Sequence, residues 1–212
     1  RISPSTNAPL RKVQRPAGPR IIEKTVDTPT QQAFVFSGFY GADDTNLPDV
    51  RALSMASRIL STRMTREIRE EKQLVYSMGA SSRPATTYPG FGIFSASAPT
   101  EPAKAPALMS AVEAIYQEFA KDGPTEDELR TAKKQFAKDF ADQLKEPGTW
   151  MTRLEHLTQR GIPMDEYLHA PEAYEALTTQ QVKDTFAKYY SKDNSIVVCV
   201  KPANAAPADK PD

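Results

Sequence analysis

One cysteine and two histidines are all the thiol and imidazole in this chain of 212 residues. Cys199 cannot close an internal disulfide, and within Ile196-Val197-Val198-Cys199-Val200 it reads as a small buried thiol of a strand. His156 and His169 each lack a second ligand three or four residues away, so neither opens a zinc site. Thr152-Arg153-Leu154-Glu155-His156 has the outline of the zinc motif H-x-x-E-H, but threonine stands where the first histidine must be. The same scarcity leaves a serine nucleophile without a positioned base. No glycine-rich loop follows a strand pattern, so nucleotide binding has no support. Net charge is absent too: 27 Lys+Arg balance 27 Asp+Glu, and no overall field draws nucleic acid or an anionic membrane. No run approaches the roughly 18 apolar residues of a membrane span, and the first residues lack the apolar core of a signal peptide. A start at Arg1 rather than Met points to a processed chain or a piece of something longer.

What is present divides into three parts. Residues 1–29 carry Pro4, Pro9, Pro16, Pro19 and Pro29 among basic side chains and almost no paired apolar positions, the composition of a Pro-rich basic linker. Residues 30–202 hold the periodic patterns of one domain, and the Ala/Pro-rich end, 203–212, reads as a disordered tail.

Within the domain, Ala33 to Tyr40 is rich in β-branched and aromatic residues, the mark of a first strand. From Asp49 to Lys72 the apolar residues recur at three and four, predicting a long amphipathic helix. Residues 74–84 and 90–98, split by Thr87-Tyr88-Pro89-Gly90, predict a hairpin. A second helix opens at Thr100-Glu101-Pro102 and stops at Gly123-Pro124. Thr125 with Glu128, and later Thr178 with Gln181, are capping boxes that start two more helices. A shorter helix at 149–160, an irregular or helical piece at 164–177 and a last strand at 196–200 complete the order. The fold class is α+β, a mainly antiparallel sheet with helices packed on one face.

Chemistry then rests on Thr65-Arg66-Glu67-Ile68-Arg69-Glu70-Glu71-Lys72-Gln73-Leu74-Val75-Tyr76-Ser77, where the long helix ends and a strand begins. An Arg near a helix end, Gln-Leu-x-Tyr opening the next strand and a return through Gly90-Phe91-Gly92 resemble the pitrilysin, insulysin and mitochondrial processing peptidase family of zinc peptidases. The resemblance covers residues from about 31 to 202. It implies one half of a clamshell of two homologous α+β halves. The long helix at 49–72 has no histidine, so the chain is similar to the metal-free, C-terminal half.

In that half the family uses an Arg and a Tyr at this spacing to reach substrate carbonyls, which implies a substrate-binding role for Arg69 and Tyr76. A guanidinium fork and a phenol suit the task, since both donate to a carbonyl oxygen. Taken alone, the same residues also read as an ion pair of Arg69 with Glu70 or Glu71 and a Tyr76 packed at a strand start. Lys72 and Gln73 read as turn residues, and Arg63 and Arg66 as further cavity-lining cations or a solvated face.

The resemblance implies no metal bound by this segment and no catalytic residue of its own. Zinc and H-x-x-E-H belong to a companion half, in the same chain or a separate subunit, and the partner of both is a peptide substrate. A scaffold or core subunit of the same fold, without catalysis, is the alternative. A basic arm binding nucleic acid is a third reading, disfavoured by the neutral charge and by the absence of aromatic interleaving. The sequence leaves the compartment open, although a bacterial periplasmic protein fits the Pro/Ala-rich ends.

Overall fold

A computed structural model describes residues 13–16 and 18–203, apart from the side chain of Arg160. The tail at 204–212, and residues 1–12 and 17 of the expected linker, lie outside the described residues.

Five strands make one sheet in the order β1-β5-β2-β4-β3: β1 (Arg20–Val26), β2 (Ala33–Gly41), β3 (Gly79–Arg83), β4 (Gly92–Thr100) and β5 (Ile196–Pro202). All pairings are antiparallel except that of β1 with β5, which is parallel from Arg20 opposite Ile196 to Val26 opposite Pro202. Strand β1 is a correction, because residues 20–26 fall inside the segment expected to be linker. All seven of its residues are exposed, so no buried face marks it. Its β-branched Ile21, Ile22, Thr25 and Val26 lie in a proline-free gap between Pro19 and Pro29, and backbone pairing with β5 makes it a strand.

The helices are α1 (Leu47–Met64), α2 (Ala105–Asp122), α3 (Glu126–Gln143), α4 (Pro147–Arg160), α5 (Met164–Leu168), α6 (Ala170–Glu175) and α7 (Thr179–Tyr189). Both expected capping boxes are present, at Thr125/Glu128 and Thr178/Gln181. Strands β2 and β4 bury alternate residues, Val35 and Phe39 on one, Phe94, Ala96 and Ala98 on the other, beneath the helices. There Phe39 stacks on Phe94 at 5.0 Å, and Phe186 of α7 meets Phe39 and Phe94 edge-on at 5.3 Å each. Cys199 is fully buried in the same core, where burial pushes its thiol pKa up.

The hairpin differs from its expected bounds, for the first strand begins at Gly79 rather than 74. Leu74 spends its backbone groups elsewhere: its N–H donates to the Ile68 carbonyl at 3.0 Å, and its carbonyl accepts from Thr100 Oγ1 at 2.6 Å. Leu74 is therefore pinned to the helix end and to β4, and residues 74–78 are not laddered as a strand. Alanine 80 is clamped in turn, its N–H donating to Ser61 Oγ of α1 at 2.9 Å.

Candidate functional site

The expected site lies where α1 runs on without a break. From Thr65 to Glu71 the chain is wound as a π-helix, closed by Lys72 N–H donating to Glu67 O at 3.2 Å. Seven residues of this winding are uncommon, and such widenings often mark functional positions. Gln73 follows at φ 51, the one non-glycine residue with positive φ among those described. This left-handed residue stops the helix and reverses the chain. Ile68 and Val75, buried on either side of the reversal, anchor it in the core.

The anchoring leaves Arg69 and Tyr76 outside, and the structure brings the two together. The Arg69 guanidinium carbon stands 5.9 Å from the centroid of the Tyr76 ring, a cation–π contact worth about 0.5–1 kcal/mol at an exposed site. Tyr76 is 87% exposed, the most of the large hydrophobic side chains. Among the described residues Arg69 makes no ion pair, and the Tyr76 hydroxyl makes no hydrogen bond. Arg66 holds Glu67 at 3.0 Å and reaches Glu71 at 4.0 Å, so neighbouring carboxylates occupy Arg66 rather than Arg69.

Arg63, the other cation considered above, is neither solvated nor cavity-lining. Its Nε and Nη2 donate to Glu128 Oε1 and Oε2 at 2.6 and 2.8 Å, and Nη2 also donates to the Gly123 carbonyl at 3.0 Å. Burial raises the Glu128 pKa, but the Arg63 hydrogen bond and the Thr125 backbone outweigh it and hold the carboxyl below its usual value. Arg63 thus ties α1 to the start of α3. Arg63 follows buried Ile59 and Leu60 by four and three residues, which sets it on the core side of α1.

Neither histidine adds chemistry to this place. His156 Nε2 on α4 stands 3.8 Å from Asp44 Oδ2, and the His169 ring Nδ1 meets the Asp165 carbonyl at 2.9 Å. Thr152, at the position a first zinc histidine would take, donates instead to the Gly148 carbonyl of its own helix. No group of three or more His, Cys, Asp or Glu among the described residues is arranged to hold a metal. No described helix is long and apolar enough to cross a membrane. What Arg69 and Tyr76 offer is two exposed hydrogen-bond donors, a guanidinium and a phenol, held side by side.

A family model described as the peptidase M16 inactive domain matches residues 3–136. No curated protein sequence matches the chain. Among solved structures, a peptidase M16 inactive domain from Pseudomonas fluorescens is similar over 95% of this chain and 48% of its own, at 25% identity and a TM-score of 0.77. A protease from Helicobacter pylori is similar in fold over 92% of this chain and 49% of its own, at 18% identity and a TM-score of 0.77. The periplasmic protease PqqL from Escherichia coli is similar in fold over 91% of this chain and 21% of its own, at 18% identity and a TM-score of 0.69. The chain spans about half the length of the first two.

Proposed function

Because the chain belongs to the M16 peptidase family, as its inactive domain, we propose that it serves a zinc endopeptidase as the half that grips the peptide. The zinc and the H-x-x-E-H motif lie on a companion half, in the same polypeptide or another. The observation that carries this reading is the pairing of Arg69 with Tyr76, exposed side by side and free of ion pairs and hydrogen bonds to other described residues, on a helix end held by buried Ile68 and Val75. A scissile carbonyl gains negative charge in the transition state, and a fork of N–H groups beside a phenolic O–H can meet that charge. The chain's own residues bind and orient the peptide; water activation belongs to the metal half.

The outer face of the sheet supports a companion. Ile22, Val198 and Phe36 form one row across β1, β5 and β2, and Val200 and Phe34 extend the next. Phe34 is 47% exposed and Ile22 37%, so the described residues leave this face open, which suits burial against another surface.

Steady-state kinetics of the assembled two-half enzyme on a peptide test the proposal. Tyr76→Phe keeps the ring and loses the hydroxyl, so kcat should fall, by up to about 10² to 10³-fold if the donor acts on developing charge. Arg69→Lys keeps the charge and loses the fork, and should also impair turnover. Unchanged kcat and KM in both variants, with unchanged melts, would reduce the pair to a surface contact.

A further inference from the structure

The Tyr76 ring is 87% exposed, so its place is set through the backbone rather than by packing of its own side chain. Two clamps bracket it. On one side the Leu74 carbonyl accepts from Thr100 Oγ1 at 2.6 Å, and the Leu74 N–H donates to the Ile68 carbonyl at 3.0 Å. On the other, Ala80 donates to Ser61 Oγ at 2.9 Å and lies opposite Ala96 in the β3–β4 ladder. Between the clamps, Val75 to Met78 make no hydrogen bond to other described residues. The ladder backs up the Ser61 clamp, whereas Leu74 lies outside it. Among the described residues, the Thr100 hydroxyl makes the one hydrogen bond from β4 to residues 72–78. Thr100 is 5% exposed and ends the buried alternation of Phe94, Ala96 and Ala98. Valine would fill the same space on that apolar face, so what threonine adds there is the bond to Leu74, in keeping with the rule that buried hydroxyls are paired.

We propose, on the reading that Arg69 and Tyr76 grip the peptide, that Thr100 is a positioning residue for the Tyr76 phenol. It acts through the Leu74 carbonyl, two residues before Tyr76, and does not touch the peptide itself. The phenol oxygen lies at the far end of a long side chain, so a small turn of the backbone carries it far, and a misplacement of about 1 Å can cost about 10²-fold in rate. Leu74 is half-buried, so its carbonyl can take a water when the hydroxyl is removed, and the fold should survive the change.

The assembled two-half enzyme is assayed on a peptide as Thr100→Val, Thr100→Ser, Tyr76→Phe and the double variant Thr100→Val with Tyr76→Phe, and hydrogen exchange of the Leu74 amide is followed in each. Thr100→Val should lower kcat by about tenfold or more, and Thr100→Ser, which keeps the hydroxyl, should retain it. The Leu74 amide should exchange faster by up to about tenfold in the valine variant, the scale of one hydrogen bond. In the Tyr76→Phe background, Thr100→Val should change kcat by less than about twofold, because the group it positions is already gone. Unchanged kcat or exchange in Thr100→Val, an equal loss of kcat with and without the Tyr76 hydroxyl, or no activity retained with serine would overturn the proposal and leave the grip standing. Loss of the fold in Thr100→Val would overturn it as well, since the role assigned is local. Normal kinetics in Tyr76→Phe would instead remove the grip, and this role with it.

Discussion

Replacing Arg63 by methionine separates the two roles that arginines play on one helix. The Met stem fills most of the space of the Arg methylenes, so the loss is chiefly polar. It comprises two hydrogen bonds to Glu128, one to the Gly123 carbonyl, and the stacking of the guanidinium over Phe119 at 5.1 Å. Breaking one partner from a buried ion pair costs about 3–5 kcal/mol. Here the Glu128 side chain keeps 22% exposure and the Thr125 N–H at 2.8 Å, which places the cost at the lower end, about 3 kcal/mol. At about 2–4 °C per kcal/mol for a domain of this size, Tm should fall by about 6–12 °C at neutral pH. Adding Glu128→Gln removes the stranded charge and retains a capping-box residue, so the double variant should recover part of that loss. Arg69→Met, on the same helix but exposed, should leave Tm within about 2 °C. The assay is a thermal melt of all four proteins followed by circular dichroism. A fall below about 2 °C for Arg63→Met would refute the claim that Arg63 is bound into the core rather than solvated.

Further expectations follow from the same details. Gln73→Gly relieves the left-handed backbone at φ 51 and should stabilise the chain by up to about 1 kcal/mol, while Gln73→Val should destabilise it, as read by melts. At Asp49, burial raises the pKa, but hydrogen bonds from Lys188 and Tyr189 at 2.6 Å each and from Asn46 outweigh it, so its carboxyl, like that of Glu128, lies below its ordinary value. A folded-state pKa below the unfolded one gives stability that is full above the unfolded value and is lost as pH falls through the folded one. Tm should therefore drop as pH falls below 4.5, and Asp49→Asn with Glu128→Gln should flatten that drop; an equal slope in the variant would remove these two groups from the account. The chain alone should bind no stoichiometric zinc after dialysis and should cleave no peptide; elemental analysis near one zinc per chain, or chelator-sensitive cleavage by it, would contradict the placement of the metal on another half.

Local chemistry made much of this fold legible. Thr125 with Glu128 and Thr178 with Gln181 start α3 and α7 through contacts three residues apart, and the spacing of apolar residues in α1 and their alternation in β2 are set by backbone periods. The spacing of Arg69 and Tyr76 across a helix end is likewise a property of sequence, while a role for the pair comes from the family resemblance. Elsewhere the deciding partner is remote along the chain. Strand β1 buries no side chain and exists through pairing with β5, which is far away in sequence. Arg63 and Arg66 are the same residue type three positions apart, yet one is buried against Glu128 of α3 and the other meets Glu67 and Glu71 on its own helix. Only the packing of α1 against α3 distinguishes them, because a cation's partner depends on which surface its face of the helix meets. Leu74 leaves the strand pattern because Thr100 and Ile68 claim its backbone first. Sequence alone determined the periods, caps and stops, which act within a few residues; tertiary structure decided the edge strand and the partner of Arg63, which depend on where distant segments meet.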